Sequence, residues 1–88
     1  MASYNVILKP SVEKDLRALH PTIRARVLER IAQLQGEPLP RQAVKLAGGE
    51  QWYRIRVGDY RIVYGVARDA MQITIHYVRH RREVYRGL

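Results

Sequence analysis

The sequence predicts an α+β fold in which a helical hairpin packs on one face of a mainly antiparallel four-stranded sheet. Three observations support this prediction. One β-prone run comes first, two segments with helical periodicity follow it, and three further β-prone runs complete the order β-α-α-β-β-β. Because 88 residues is the length of one domain, residues 1–88 are assigned to a single domain that ends in a short C-terminal segment.

The first half of the chain predicts one strand and two short helices. Residues 4–9 (YNVILK) form a β-prone run that Pro10 closes. Ser11 can cap a helix that begins at the next residue, and Pro21 stands where a second helix would start. Apolar residues recur at helical spacing over 23–34. The short connection between the two helices predicts a helical hairpin.

The second half predicts a loop, three strands and a polar tail. Residues 36–51 contain two prolines and three of the six glycines, which indicates a loop. The strand-like runs are residues 52–57, 60–66 and 71–78, and the turns between them are Gly58-Asp59 and Asp69-Ala70. Residues 79–88 form the arginine-rich C-terminal segment.

A two-residue turn at Gly58-Asp59 fixes which residues of the first two central strands face each other. It pairs Arg56 with Arg61 and Arg54 with Val63. A slip of one residue would bury charge, so the register should be firmly held. The predicted helix-side set is Tyr53, Ile55, Val57, Tyr60, Ile62 and Tyr64, and the predicted opposite set is Trp52, Arg54, Arg56, Arg61 and Val63.

The third strand-like run shows the same alternation. Its apolar set is Met71, Ile73, Ile75 and Tyr77, and its polar set is Gln72, Thr74 and His76. Matching apolar positions to apolar positions places His76 on the side of the sheet that carries the arginines, roughly opposite Val63.

The charge of the chain is concentrated on arginine. The formal net charge is +8, and thirteen of the sixteen basic residues are arginines, whose planar guanidinium groups suit phosphate. Like charges that face each other across a strand pair cost up to about 1 kcal/mol, and a bound anion would turn that repulsion into binding energy. This pattern favours a nucleic-acid or acidic-protein partner. The alternative is that the arginines extend into water without any ligand.

Composition also excludes several classes of protein. The absence of cysteine excludes disulfides, thiolate zinc sites and a cysteine nucleophile. No His/Asp/Glu cluster has metal-binding spacing, so we predict no metal and no cofactor. No apolar run approaches the ~20 residues of a membrane span, and the N-terminus lacks the pattern of a signal peptide. We therefore expect a cytoplasmic protein without membrane association.

Three segments behind the two helices resemble a known family. They are KL-x-G (Lys45, Leu46, Gly48), YRIR-x-GDYR-I-VY over 53–64, and HRREVYR over 80–86. With these segments the chain resembles the RelE branch of the RelE/ParE superfamily, the toxins of toxin–antitoxin systems. The resemblance covers nearly the whole chain. It implies a small endoribonuclease that cleaves mRNA in the ribosomal A site without metal, through attack of the RNA's own 2′-hydroxyl on the adjacent phosphate.

The resemblance also implies site residues. The two basic residues of the first central strand fall on Arg54 and Arg56, and the arginine after the turn falls on Arg61. The basic residue upstream of the terminal tyrosine is Arg79 or Arg81, which the sequence does not distinguish. The terminal tyrosine is Tyr85, which can stack on a base or bind a phosphate. The predicted catalytic set is thus Arg54, Arg56, Arg61, Arg79, Arg81 and Tyr85.

Further contacts to RNA are predicted from Lys45, Trp52 and His80. For Trp52, stacking on a base and packing against the 36–51 loop are both open. The best-studied RelE toxins carry lysines on the first central strand, and one of them is the proposed general base. Arginine does not give up a proton, so the base is unassigned here. His76 or His80 can titrate near neutrality and fill that role, and a structural role is the alternative for each.

The predicted function is that of a type II toxin neutralised by an acidic, RelB-like antitoxin. The toxin would act on mRNA in the ribosomal A site, and the toxin–antitoxin complex would bind its own operator DNA through the antitoxin. Two alternatives are open. One is a ParE-type inhibitor of DNA gyrase, and the other is a catalytically weakened RNA-binding homologue, which the missing lysines suggest.

Overall fold

Two helices pack on one face of a five-stranded sheet in the computed structural model, which describes residues 3–47 and 51–80. The helices are α1 (Pro10–Arg17) and α2 (Pro21–Gln33). The strands are β1 (Asn5–Leu8), β2 (Val44–Lys45), β3 (Trp52–Val57), β4 (Tyr60–Ala67) and β5 (Gln72–His80). Their order in the sheet is β1-β5-β4-β3-β2, with β1 parallel to β5 and the other pairs antiparallel.

The predicted α+β class is confirmed, and the strand count of four is corrected to five. The additional strand, β2, lies inside the predicted 36–51 loop, where Val44 and Lys45 pair with Arg54 and Tyr53 of β3. The predicted tail also begins too early, because residues 79 and 80 continue β5. No helix in 3–47 or 51–80 is long and apolar enough to cross a membrane.

Prolines set the starts of both helices. Helix α1 begins at Pro10, and its N-cap position is Lys9, so the predicted cap at Ser11 is wrong. The fixed φ of proline and its missing N–H suit the first helical position, which moves the start upstream. Helix α2 begins at Pro21 as predicted, and the Nδ1 atom of His20 accepts a hydrogen bond from the Thr22 amide at 3.2 Å.

Replacing His20 with alanine is expected to lower the free energy of unfolding by about 1 kcal/mol, because an amide at the start of α2 loses its acceptor. Chemical denaturation at neutral pH measures the change. His20→Asn is the matched variant, since an asparagine side chain also accepts at an N-cap and should recover most of the loss. Equal stability of the alanine and asparagine variants would contradict a capping role.

The core lies between the helices and the inner face of the sheet. Its fully or almost fully buried members are Val12 and Leu16 of α1, Val27 and Ile31 of α2, Leu34 after α2, and Ile55, Ile62, Tyr64, Ile73, Ile75 and Val78 of the sheet. Except between Ile75 and Val78, these strand residues alternate with residues of the opposite face, as expected for a sheet with one packed side.

Tyr64 ties the core to the segment that follows α2. Its ring is fully buried beside Tyr53, with the ring centroids 6.0 Å apart, and its hydroxyl donates to the Pro38 carbonyl at 2.7 Å. Burial raises the pKa of the Tyr64 phenol to about 12, with a smaller contribution from Tyr53. The phenol is therefore neutral at any physiological pH.

The β3–β4 hairpin has the register that the sequence predicts. Its pairs include Arg56 with Arg61, Ile55 with Ile62 and Arg54 with Val63. The turn places Gly58 at a φ of +59°, whereas Asp59 is not left-handed, the combination found in type II′ turns. This turn matches the twist of the two strands and holds the division of their faces.

A bulge in the β4–β5 pair corrects the prediction for the last strand. Val63 pairs with Tyr77 and Tyr64 pairs with Ile75, so His76 is the extra residue of β5. The extra residue reverses the alternation beyond it. Tyr77, predicted on the helix side, therefore shares a face with Val63, and Val78 enters the core instead.

Candidate nucleic-acid interface

A row of three arginines crosses the sheet on the face away from the helices. Arg56 of β3 pairs with Arg61 of β4, which in turn pairs with Arg79 of β5. Arg54 lies one step along β3 on the same side. Directly opposed residues share a face, so the sheet brings four predicted site residues to one side. We call this side of the sheet the arginine face.

Three of these arginines line one groove. The groove has a volume of about 400 Å³ and is lined by Gln42, Val44, Arg54, Arg56 and Arg61. Strand β2 forms one wall, because Val44 pairs with Arg54 and so lies on the arginine face. Within the described part of the chain, no carboxylate belongs to this lining. We call this feature the arginine groove, and its charge suits an anion.

The three groove arginines differ in how deeply they are buried. Arg61 is only 7% exposed, and its Nη1 donates to the Tyr60 carbonyl at 3.3 Å. Arg54 is half-buried, whereas Arg56 is exposed. Arg61 is therefore the most buried of the three, and its guanidinium also has a hydrogen bond to the backbone.

Arg79 is held by a partner from the helical layer. Its Nη1 lies 2.9 Å from Oδ1 of Asp15 in α1, and its guanidinium lies 5.6 Å from the Tyr77 ring centroid. Strand β1 ends at Leu8, opposite Ile75, so the C-terminal residues of β5 have no strand of the described chain on that side. Asp15 of α1 reaches Arg79 there. Arg79 therefore belongs to the arginine row but not to the groove lining, and its charge is matched within the chain.

An aromatic cluster lies beside the arginines. The rings of Trp52 and His76 stack with centroids 3.9 Å apart and planes 20° apart. Tyr77 contacts Trp52 edge-on at 6.4 Å, and Nζ of Lys9 lies 6.0 Å from the indole centroid. The prediction that His76 lies on the arginine face is thus confirmed. We call the Trp52–His76 pair the aromatic stack.

Comparison with known proteins places this architecture in one family. The sequence profile described as "ParE toxin of type II toxin-antitoxin system, parDE" matches residues 6–85, nearly the whole chain. The chain belongs to the RelE/ParE superfamily of toxins. The curated relative Toxin RelE3 of Methanocaldococcus jannaschii is 32% identical over 84 residues, which cover 91% of this chain and 93% of the relative.

Solved structures agree with this assignment. The RelBE2 toxin–antitoxin complex of Mycobacterium tuberculosis contains a chain with a TM-score of 0.78 and 31% identity, over 91% of this chain and 93% of that one. The archaeal RelE–RelB complex of Pyrococcus horikoshii gives a TM-score of 0.78 and 32% identity, over 90% and 96%. The protein is thus a RelE-like toxin of a type II toxin–antitoxin system.

The toxin fold does not bring every predicted site residue to the groove. Lys45 pairs with Tyr53, which places it on the helix side. His80 pairs with Tyr60, and their rings meet edge-on at 5.5 Å, on the side of β5 opposite to Arg79. Arg81 and Tyr85 lie outside the described residues. Within 3–47 and 51–80, no group of three His, Cys, Asp or Glu side chains is arranged to hold a metal.

The sequence missed several residues around the toxin's arginines. Val44 enters the groove through the unpredicted strand β2, and Gln42 enters it from the turn before that strand. Tyr77 joins the arginine face through the bulge. Asp15 is the partner of Arg79, although the two are far apart along the chain. Nothing in the sequence around Asp15 indicated this contact.

The Asp15–Arg79 pair is expected to stabilise the toxin by about 1–2 kcal/mol, because the carboxylate is largely buried and accepts a charge-assisted hydrogen bond. A double-mutant cycle with Asp15→Asn and Arg79→Gln, followed by chemical denaturation, measures the coupling. A coupling near zero would show that the pair contributes no net stability.

Proposed function

We propose that this toxin is a metal-independent, ribosome-dependent endoribonuclease that cleaves mRNA in the ribosomal A site. The observation that carries the proposal is the convergence of Arg54, Arg56 and Arg61 on one groove whose described lining includes no carboxylate. A phosphodiester is the anion that this arrangement fits best, because guanidinium groups offer several donors to phosphate oxygens.

The proposed reaction uses the RNA itself as the nucleophile. The 2′-oxygen loses its proton and attacks the adjacent phosphorus. The bond from phosphorus to the 5′-oxygen breaks, and the 5′-oxygen leaves with the electron pair and takes a proton from water. The products are a 2′,3′-cyclic phosphate and a 5′-hydroxyl. Extra negative charge develops on the phosphate oxygens during attack, and cations fixed beforehand lower the barrier. One such donor is commonly worth about 3 kcal/mol in the transition state. Arg61, the most buried of the three, is suited to that role.

The arginines stabilise charge and do not remove the proton from the 2′-hydroxyl, because guanidinium stays protonated at neutral pH. That proton must pass to water or to a side chain outside the arginine set. Of the two candidate histidines, only His76 lies on the arginine face, and its ring is buried in the aromatic stack. His80 lies on the other side of β5. Among the described candidates, the placement therefore favours His76 over His80.

We further propose that an acidic, RelB-like antitoxin neutralises the toxin in the cytoplasm. Relatives from Mycobacterium tuberculosis and Pyrococcus horikoshii occur in complexes with their antitoxins. A net charge of +8 supports fast, salt-sensitive association with an acidic chain. The antitoxin would cover the arginine face, and the complex would bind its operator DNA through the antitoxin.

Primer extension on an mRNA translated by purified ribosomes tests the ribonuclease proposal. We expect cuts in the coding region when ribosomes and toxin are both present, and none in the same RNA without ribosomes. Cleavage of free RNA at the same sites would contradict ribosome dependence. RNA binding without cleavage in either condition would favour the weakened homologue.

Inhibition of DNA gyrase is the second candidate function, because the matching family profile is described for a ParE toxin. Incubation of the toxin with gyrase, supercoiled plasmid and ATP distinguishes gyrase inhibition from mRNA cleavage. Trapped double-strand breaks in the plasmid, together with intact translated mRNA, would replace the ribonuclease proposal with gyrase inhibition. Intact plasmid together with cut mRNA would exclude gyrase as the target.

A further inference from the structure

We infer that the aromatic stack of Trp52 and His76 is a binding platform for one nucleobase of the RNA strand whose phosphate occupies the arginine groove. This inference rests on the proposed function, because it requires RNA on the arginine face. It adds a subsite for a base to a site that otherwise contacts only phosphate.

The stack is built into the sheet rather than being a chance surface contact. Trp52 comes from β3 and His76 from β5, and the two rings meet across Gly65 of β4. A Cβ at position 65 would lie 2.9 Å from Nε2 of His76 and 3.5 Å from Cδ1 of Trp52. Glycine therefore leaves the space that the rings occupy, and the bulge supplies His76 at this place.

The indole is the accessible ring of the pair. His76 is 9% exposed, whereas Trp52 is half-buried. A cleft of about 290 Å³ lies beside the stack and is lined by Gln51, Trp52, Gly65, Val66, Ala67, Thr74 and His76. Its lining thus combines the indole of Trp52 with the amide of Gln51 and the hydroxyl of Thr74. Those groups can pair with the polar edges of a base.

The charges around the stack match a nucleic-acid strand. Nζ of Lys9 lies 6.0 Å from the indole centroid, and Arg54 follows Trp52 by two positions on the same face of β3. Two residues along a strand span about 6.6 Å, so the stack and the arginine groove are neighbours. Aromatic rings beside a cationic groove are how proteins commonly hold single-stranded nucleic acid, with bases stacked and phosphates paired.

Trp52 is the single tryptophan of the chain, so its fluorescence reports on this position alone. The probe is a short single-stranded RNA with 2′-O-methyl riboses, which the proposed reaction cannot cleave, titrated at low ionic strength. We expect saturable quenching of Trp52 emission by this RNA. Inorganic polyphosphate, which carries charge but no bases, should bind without comparable quenching. The platform would be overturned if the RNA does not bind, or if RNA and polyphosphate change Trp52 emission equally.

Variants then test the energetic contribution of the ring, with the affinity for a labelled copy of the same RNA as the readout. Trp52→Leu should weaken binding by about 5- to 150-fold, the range for loss of one base–aromatic stack. Trp52→Phe keeps a ring and should retain most of the affinity. Leu28→Ala, at an exposed position of α2 in the helical layer, is the matched control and should bind like wild type. Wild-type affinity in Trp52→Leu would also overturn the platform.

The same measurements separate this inference from the ribonuclease proposal. Quenching and the Trp52→Leu loss, without cleavage of translated mRNA, would keep the platform and refute the enzyme. The platform alone would be refuted if the toxin cleaves translated mRNA, RNA does not quench Trp52 emission, and Trp52→Leu binds RNA like wild type. Binding of the purified antitoxin with equal quenching, but no quenching by RNA, would assign the stack to the protein partner instead.

Discussion

Arg61→Ala is expected to lower ribosome-dependent mRNA cleavage by about 10²–10³-fold, the usual loss when one fixed donor to a developing anion is removed. The reason is positional. Arg61 is almost fully buried between β3 and β5, and its guanidinium is anchored on the Tyr60 carbonyl. Cleavage rates at saturating toxin, measured by primer extension on programmed ribosomes, give the change. Arg61→Lys keeps the charge but not the planar fork, and should recover only part of the rate.

Arg68→Ala is the matched control for this experiment. Arg68 is an exposed arginine in the turn between β4 and β5, outside the groove lining. Its loss lowers the net charge by the same amount, so it should leave cleavage close to wild type. Removal of Arg61 also relieves repulsion from Arg56 and Arg79, so the variant should fold normally. Equal cleavage by both variants would remove Arg61 from the catalytic set.

The second large effect concerns stability in alkali. Wild-type toxin is expected to lose about 2 kcal/mol of unfolding free energy between pH 10 and pH 12, relative to Tyr64→Phe. Burial raises the pKa of folded Tyr64 to about 12, whereas the phenol of an unfolded chain titrates at 10.0. Above pH 10 the unfolded chain releases this proton and the folded chain does not, so rising pH favours unfolding. The loss is complete only once pH passes the folded value.

Denaturation curves of wild type and Tyr64→Phe at stepped pH values check this expectation. The two proteins differ only at position 64, so the difference between their curves isolates the Tyr64 phenol. At neutral pH the phenylalanine variant should be about 1 kcal/mol less stable, because the hydrogen bond to the Pro38 carbonyl is lost. The difference should shrink and then reverse above pH 10. Parallel curves up to pH 12 would show that Tyr64 titrates normally.

The β3–β4 hairpin was predictable because its two-residue turn determines which residues of the two strands pair. With two residues in the turn, Arg56 must face Arg61, and the period of two then assigns every side chain to a face. The same reasoning failed where one residue is added. Alternation gives no signal of the bulge at Val63 and Tyr64, and beyond it the prediction placed Tyr77 on the wrong face.

Other features were not predictable because they depend on contacts distant in sequence. Strand β2 has two residues, too few for any periodicity, and it lies in a segment whose prolines and glycines indicate a loop. The face of Lys45 depends on that strand, so its predicted RNA contact had no structural basis in the sequence. The meeting of Trp52 and His76 over Gly65 requires three strands to be in register at once.

The parallel pairing of β1 with β5 bears on how the toxin folds while it is being synthesised. Asn5 of β1 pairs with Gln72 of β5. Strand β1 can therefore join the sheet only after β5, the last strand of the described chain, has left the ribosome. Such distant contacts are formed late and slowly. Asp15 likewise cannot form its ion pair until Arg79 has been synthesised. A nascent toxin chain therefore cannot complete its sheet or form the Asp15–Arg79 ion pair until β5 has been translated.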